Sequence, residues 1–525
     1  MTTEYDHLFQ YLRNTKVKID KKEFVFQVKS HPDHPSLLAI SDTLTFFKIK
    51  NYVFKVPKEN YTDLPKEYLA FLKKENKGFL SHIIRDGKNY KFFSKNSYKK
   101  ISSEQFYDIF QDIVLLVDQK TDDKPVSSRN YGSLVFKLLL LFSYSFLILQ
   151  NNFSLFLIGI ITILCIGMYL SVQALFQGLG VDTGFSSKIC TSFIDNADCS
   201  GVINSTKENK LLKNIDLGYL SSVFFLGQLI ALLFLSLSGK IVDFYLISFW
   251  LTSISIPITL ASIIYQKFII KKWCTICLLI ITIIYLEFFV LLQMSSSLEY
   301  FSSIWIYLMS YILSIGFMNL GKSTFKDFYS NISALQESNR FKRTYSLFKS
   351  SLANSMKVES GEEDVIDVSM GNPNSNLSLT IITNPFCSFC ASAHLLIEEI
   401  LDTYKNDLNI KVKFKVDFEY SNDETLYVTR KLMDIYMKDG ETIFLQSLHD
   451  WYEDKNISDF MKKNGEISNM ETIDSVLKNQ QSFIEKNNLN FTPVFIVNDR
   501  LYPEIYERED LKYFLSELLE DKDLF

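Results

Sequence analysis

The sequence predicts a multi-domain membrane protein: a soluble α+β domain, then an all-α transmembrane helix bundle, then a soluble α/β domain. Three observations predict it. The chain has 525 residues, too many for one core. Six apolar segments fall in its middle, at about 133–149, 152–176, 218–237, 243–265, 275–294 and 301–320, and several reach the ~20 residues that cross a bilayer. Polar sequence flanks them, lysine-rich before and acidic after. The net charge of −5 gives no electrostatic basis for nucleic-acid binding.

Residues 1–125 form the first soluble domain. Leu37-Leu38-Ala39-Ile40 belongs to an amphipathic run, Asn51 to Val56 and Ile113 to Val117 read as strands, and Asp118 to Asn130 is a polar linker. No apolar h-region follows Met1, so no cleavable signal peptide is expected. The membrane region covers 133–320. Its first segment is short and carries Lys137, which snorkels, and Gln150-Asn151-Asn152 makes a tight hairpin to the second. Residues 321–365 are a polar helical linker. The last domain, 366–525, alternates strand and helix: a strand over Leu377–Thr383, a helix over Ala391–Tyr404, a strand over Ile410–Phe418, a helical insertion, a strand over Val494–Val497 and a helix over Glu509–Leu519.

Six of the seven cysteines pair by spacing: Cys190 with Cys199, Cys274 with Cys277, Cys387 with Cys390. Such pairs, with no histidine cluster close in sequence, read as redox pairs, and no metal is expected. The seventh, Cys165, lies alone in an apolar segment and reads as a buried small hydrophobe. Cys387 sits where a strand gives way to a helix. The positive end of the helix dipole stabilises a thiolate there, and Cys390, one turn on, can close the disulfide and release a mixed-disulfide partner. About a hundred residues later comes Phe491-Thr492-Pro493-Val494, just before a strand. Residues 370–520 thus resemble the thioredoxin superfamily, with Pro493 at the position of its cis-proline loop.

Trp273-Cys274-Thr275-Ile276-Cys277 opens an apolar segment at the membrane surface, while Cys190 and Cys199 lie in a polar loop. With Ser205, six residues after Cys199, these features resemble the vitamin K epoxide reductase family over residues 150–320. The resemblance implies that the loop pair relays electrons, that Cys199 exchanges with Cys274, and that Cys277 faces a quinone (menaquinone or ubiquinone). Animal members have a tyrosine four residues after the second membrane cysteine. Ile281 stands here, so bacterial members are the closer comparison. Glu287, mid-segment, is a candidate for handling protons.

Two apolar segments separate Cys199 from Cys274, and two more separate Cys277 from Cys387. Both counts are even, so the three pairs share one side, and a disulfide relay belongs on the oxidising one. A bacterial inner (cell) membrane, crossed several times, with the pairs on the periplasmic or extracytoplasmic face, is what the resemblance implies. The lysines give a mixed signal: Lys240 favours this orientation, and Lys267, Lys271 and Lys272 oppose it. The expected partners are the lipid bilayer, the quinone, and exported cysteine-containing proteins or peptides.

His34-Pro35-Ser36-Leu37-Leu38-Ala39-Ile40-Ser41-Asp42-Thr43-Leu44 resembles the papain-like peptidase domain of bacteriocin exporters. The resemblance is to a degenerate form, because no cysteine occurs in the first 164 residues to act as nucleophile. A peptide-binding module and a structural domain both remain open for it. For the whole chain, quinone-dependent disulfide formation is the leading expectation. Its rivals are a thiol reductase with reversed electron flow and a peptide-binding receptor whose cysteines are structural.

Overall fold

The computed structural model describes residues 5–74, 77–87, 89–94, 97–118, 155–179, 202, 217–293, 303–359, 367–419, 421 and 423–523. Cys190, Cys199, Ser205 and the apolar segment 133–149 lie outside the described residues. The chain divides into two compact units, the main break falling between Gln336 and Glu337.

The first unit begins with three helices, α1 (Asp6–Asn14), α2 (Lys21–Lys29) and α3 (Leu37–Phe46). α1 buries Leu8, Phe9, Tyr11 and Leu12 along one face. Ser36 caps α3, its hydroxyl accepting from the Ala39 N–H at 3.1 Å. A six-stranded sheet follows, made of β1 (Asn51–Lys55), β2 (Glu67–Lys74), β3 (Lys77–Asp86), β4 (Asn89–Ser94), β5 (Ser97–Ser102) and β6 (Phe110–Val117), with α4 (Ser103–Ile109) between the last two. The order is β1-β6-β2-β3-β4-β5, antiparallel throughout. The two strands expected from sequence are neighbours, with Asn51 opposite Val117. The meander β2–β5 has no clear sequence signature, because its lysines interrupt the alternation that marks a half-buried strand.

Five helices among the described residues are long and apolar enough to cross a membrane. They are α5 (Leu155–Gly178), α6 (Leu217–Leu237), α7 (Ile241–Ile264, prolonged by a π turn over Tyr265–Ile270), α8 (Thr275–Leu292) and α9 (Ile304–Lys342). α5 and α6 approach closely at Gly218, where a Cβ would stand 2.5 Å from the Leu175 backbone nitrogen. Small residues permit such contact, which replaces the missing hydrophobic drive between helices in lipid. Polar side chains also bridge helices: Ser314 donates to Val223 O at 3.0 Å and Tyr311 to Phe224 O at 3.1 Å. Two details differ from expectation. Cys165 is exposed on the outer surface of α5 rather than buried. The last apolar segment and the first part of the polar stretch after it, as far as Lys342, form one helix, α9, since backbone hydrogen bonding continues whatever the polarity of the side chains.

The second unit is built on a five-stranded sheet of order β11-β10-β8-β9-β7. Its strands are β7 (Val368–Gly371), β8 (Ser378–Thr383), β9 (Asn409–Phe414), β10 (Val494–Val497) and β11 (Arg500–Leu501). Only β8 and β9 are parallel, joined by the crossover helix α11 (Ser388–Tyr404); α10 (Tyr345–Ala353) precedes the sheet. α12 (Asp423–Asp454), α13 (Ile457–Asn464) and α14 (Met470–Lys486) form the insertion before β10, and α15 (Leu515–Glu520) closes the chain. α10, inside the stretch read as linker, puts Phe348 and Leu352 into this core, with Phe348 stacked on Phe514 at 4.0 Å between centroids.

Candidate functional site

The site in the second unit starts where β8 ends. Asn384 shapes the turn: its Oδ1 accepts from the Phe386 N–H at 2.8 Å and its Nδ2 donates to Lys415 O at 2.9 Å. Cys387 is then the N-cap of α11, and Cys390 lies one turn inside the helix, buried. β10 pairs with β8, Val494 opposite Ile382, and this pairing carries the preceding residues to the cysteines. The Thr492–Pro493 peptide is cis, and Cys387 Sγ lies 3.5 Å from Thr492 O. Pro493, distant in sequence from Cys387 and Cys390, thus comes to lie beside them.

Two residues that sequence reading missed hold this turn from behind. Trp451 Nε1 donates to Pro385 O at 2.8 Å, and the Tyr452 hydroxyl lies 3.2 Å from Thr383 Oγ1 and 3.3 Å from Asn384 O. Both stand near the end of α12, in the insertion, and no local signal connects them to the cysteines. The outer rim is apolar: Phe386, Phe389 and Phe491 are exposed. A cavity of about 330 Å³ opens beside Pro493, lined by Phe491, Phe495, Tyr502 and Tyr506 among others.

The two thiols differ electrostatically. Partial burial pushes Cys387 up, but hydrogen bonding with Thr492, with Cys390 and with the Phe389 backbone outweighs it and holds the thiol below its ordinary value. Burial pushes Cys390 up, and the neighbouring Cys387 adds to the effect. A partly exposed, acidified sulfur beside a buried, protonated one is the arrangement that thiol–disulfide exchange uses: the first attacks or is attacked, the second resolves.

In the first unit, Cys274 and Cys277 are joined by a disulfide, with Cα atoms 5.2 Å apart. Cys274 is the N-cap of α8, its Sγ accepting from the Cys277 N–H at 3.2 Å, while its own N–H donates to Gln266 Oε1 at 2.9 Å. Trp273 precedes it, half-buried. Both sulfurs sit in the bundle's apolar core with Ile276, Ile280 and Phe225. Deeper in α8, Glu287 is fully buried and faces Gln228, itself buried on α6.

His82, on β3, is buried and lies 2.8 Å from the Tyr98 hydroxyl and 3.4 Å from Glu67 Oε2. Burial lowers its pKa to about 4 against the opposing pull of Glu67, so it is a weak base, and no cysteine precedes position 165.

A family model described as Thioredoxin matches residues 363–517. Among solved structures the chain is similar to the catalytic domain of Proteus mirabilis ScsC, at 19% identity over 33% of this chain and 99% of that one, TM-score 0.27. It is similar to oxidised BdbD from Bacillus subtilis at 13% identity over 32% and 99%, TM-score 0.27. It is also similar to the thiol-disulfide exchange protein alpha-DsbA2 from Wolbachia pipientis at 18% identity over 33% and 96%, TM-score 0.26. No curated protein matches the chain. The family match gives the C-terminal unit a thioredoxin-like domain over residues 363–517.

Proposed function

We propose that this chain is a membrane-bound thiol oxidase that makes disulfides in exported proteins and passes the electrons to a quinone, in the manner of bacterial vitamin K epoxide reductase relatives. The observation that carries the reading is the Cys387–Cys390 site: an acidified, accessible sulfur beside cis-Pro493, backed by a buried partner. A second Cys-x-x-Cys at the head of an apolar helix supports the membrane half.

The cycle balances as follows. A substrate dithiol reduces the Cys387–Cys390 disulfide and leaves as a disulfide. The Cys387 thiolate attacks the Cys190–Cys199 disulfide, and Cys199 in turn attacks Cys274–Cys277, each step passing through a mixed disulfide. The Cys274–Cys277 dithiol then re-forms its disulfide, and its two electrons and two protons reduce the quinone to quinol through Cys277. Fusion holds the two redox domains at an effective concentration of about the millimolar range. The even number of apolar segments between the pairs supports a common extracytoplasmic side in a bacterial inner membrane. Residues 1–125 serve as a peptidase-like domain that no longer cleaves, since the nucleophile is missing.

The test uses Cys390→Ala and Cys277→Ala variants of the full chain, expressed in an oxidising compartment. Cys390→Ala should trap Cys387 in mixed disulfides on non-reducing gels, and Cys277→Ala should lose thiol-dependent quinone reduction. If no mixed disulfide forms and the wild type consumes no quinone, the cysteines are structural and the receptor reading replaces this one. If quinol instead drives reduction of substrate disulfides, the flow is reversed.

A further inference from the structure

We propose that His394, Glu398 and His449 form a binding site for a divalent transition-metal ion, with zinc the best fit. His394 and Glu398 are one turn apart on α11, and α12 brings His449 against them. His394 Nε2 and His449 Nδ1 each lie 3.0 Å from Glu398 Oε1, and one donor atom from each residue falls within 4.8 Å of the others. Donors at ~2.0–2.1 Å from a tetrahedral zinc stand about 3.3 Å apart, so the three side chains are already close to a coordination shell.

Two further observations point to a ligand. His394 is 3% exposed, yet its Nε2 makes no well-aligned hydrogen bond, although the Glu398 carboxylate is beside it. The buried imidazole nitrogen and the carboxylate face one another at 3.0 Å, as two ligands of one cation do. On the outer side, His449 Nε2 lies 3.4 Å from Glu453 Oε1, the kind of carboxylate that orients a metal-binding imidazole through its other nitrogen. Two imidazoles and a carboxylate suit zinc, and the partial exposure of Glu398 and His449 leaves room for a water as fourth ligand.

The site goes beyond thiol exchange and takes no electrons, since zinc has no redox chemistry here. Its effect is mechanical. α11 carries Cys390 one turn before His394, and α12 carries Trp451 and Tyr452, which hold the turn before Cys387. The His394 ring lies 5.6 Å from that of Tyr452. An ion bound by both helices clamps the redox helix to its support.

The experiment titrates Zn²⁺ against a colorimetric zinc indicator. It uses the detergent-solubilised full chain without a polyhistidine tag, carrying Cys165→Ser, Cys387→Ser and Cys390→Ser, with the remaining cysteines oxidised so that thiols do not compete. One equivalent should bind. Glu398→Gln and His449→Gln in that background should each abolish it, and Glu453→Gln should weaken it about tenfold. Circular dichroism of the metal-free variants checks the fold, and either variant that folds decides the matter. Absence of zinc binding in the parent, or stoichiometry unchanged in the variants, overturns the site and leaves a His449–Glu398 ion pair. Neither result bears on mixed-disulfide trapping at Cys387, so the two proposals fail separately.

Discussion

Cys387 and Cys274 occupy the same local position, the residue capping a helix N-terminus, and each is followed by its partner three residues later. Around Cys387 the fold leaves an opening: exposed phenylalanines, a cavity beside Pro493, and a sulfur in contact with the neighbouring loop. Around Cys274 it closes: the sulfur is fully buried among isoleucines of the bundle. An identical motif therefore stands in two surroundings, one open to solvent and one enclosed by apolar side chains. Local sequence sets the sulfur chemistry, and packing decides who meets it.

That contrast can be broken in four ways. The largest effect belongs to Cys387→Ala, which should lower oxidation of a reduced protein substrate by at least about 1,000-fold. Cys277→Ala should still oxidise about two equivalents, one stored in Cys387–Cys390 and one in Cys190–Cys199, and then stop. Equal residual turnover in both variants, measured by free-thiol loss, would mean substrates bypass the thioredoxin-like site.

Next comes Trp451→Ala. It removes a buried indole that packs on Phe386 and Phe460 and bonds Pro385. The expected cost is about 3–5 kcal/mol to the C-terminal unit, read as a shift in its denaturation midpoint. An unchanged midpoint would show that the turn does not need this support.

Gly218→Leu addresses the other region. A side chain there collides with the Leu175 backbone, and overpacking of this kind costs about 1–3 kcal/mol. The bundle's melting temperature in detergent should fall while the C-terminal transition stays in place. Movement of both together would argue that the units do not unfold independently.

The smallest effect is on ionisation. With Cys390→Ala, the pH profile of Cys387 alkylation should have its midpoint below the usual thiol value of about 8.5. The sign follows from linkage: the thiolate's contribution to the reduced fold is present above the unfolded value and is lost as pH falls through the lowered folded one. A charged alkylating reagent should label Cys387 in the reduced wild type and spare Cys274 and Cys277. Comparable labelling of all three would erase the difference in access.

The apolar segments from Leu155 onward, the strand at Val494–Val497 and the helix that opens at the Cys-x-x-Cys are all local patterns, and periodicity and spacing suffice to read them. The strand read as Ile410–Phe418 ends earlier, at Phe414, and the helix read over Glu509–Leu519 is split into a 3₁₀ turn and α15. Element ends depend on tertiary hydrogen bonds, which local pattern does not carry.

Residue order alone carries the division into polar and apolar parts and the placement of two Cys-x-x-Cys motifs at helix starts, because hydrophobic runs and helix caps act over a few residues. Which sulfur is open and which is enclosed follows from packing. The same holds for Trp451 and Tyr452 behind the active turn and for the meeting of His394 with His449. Those contacts join residues far apart in the chain, and it is the pairing of β8 with β10 and the packing of α12 on α11 that bring them together.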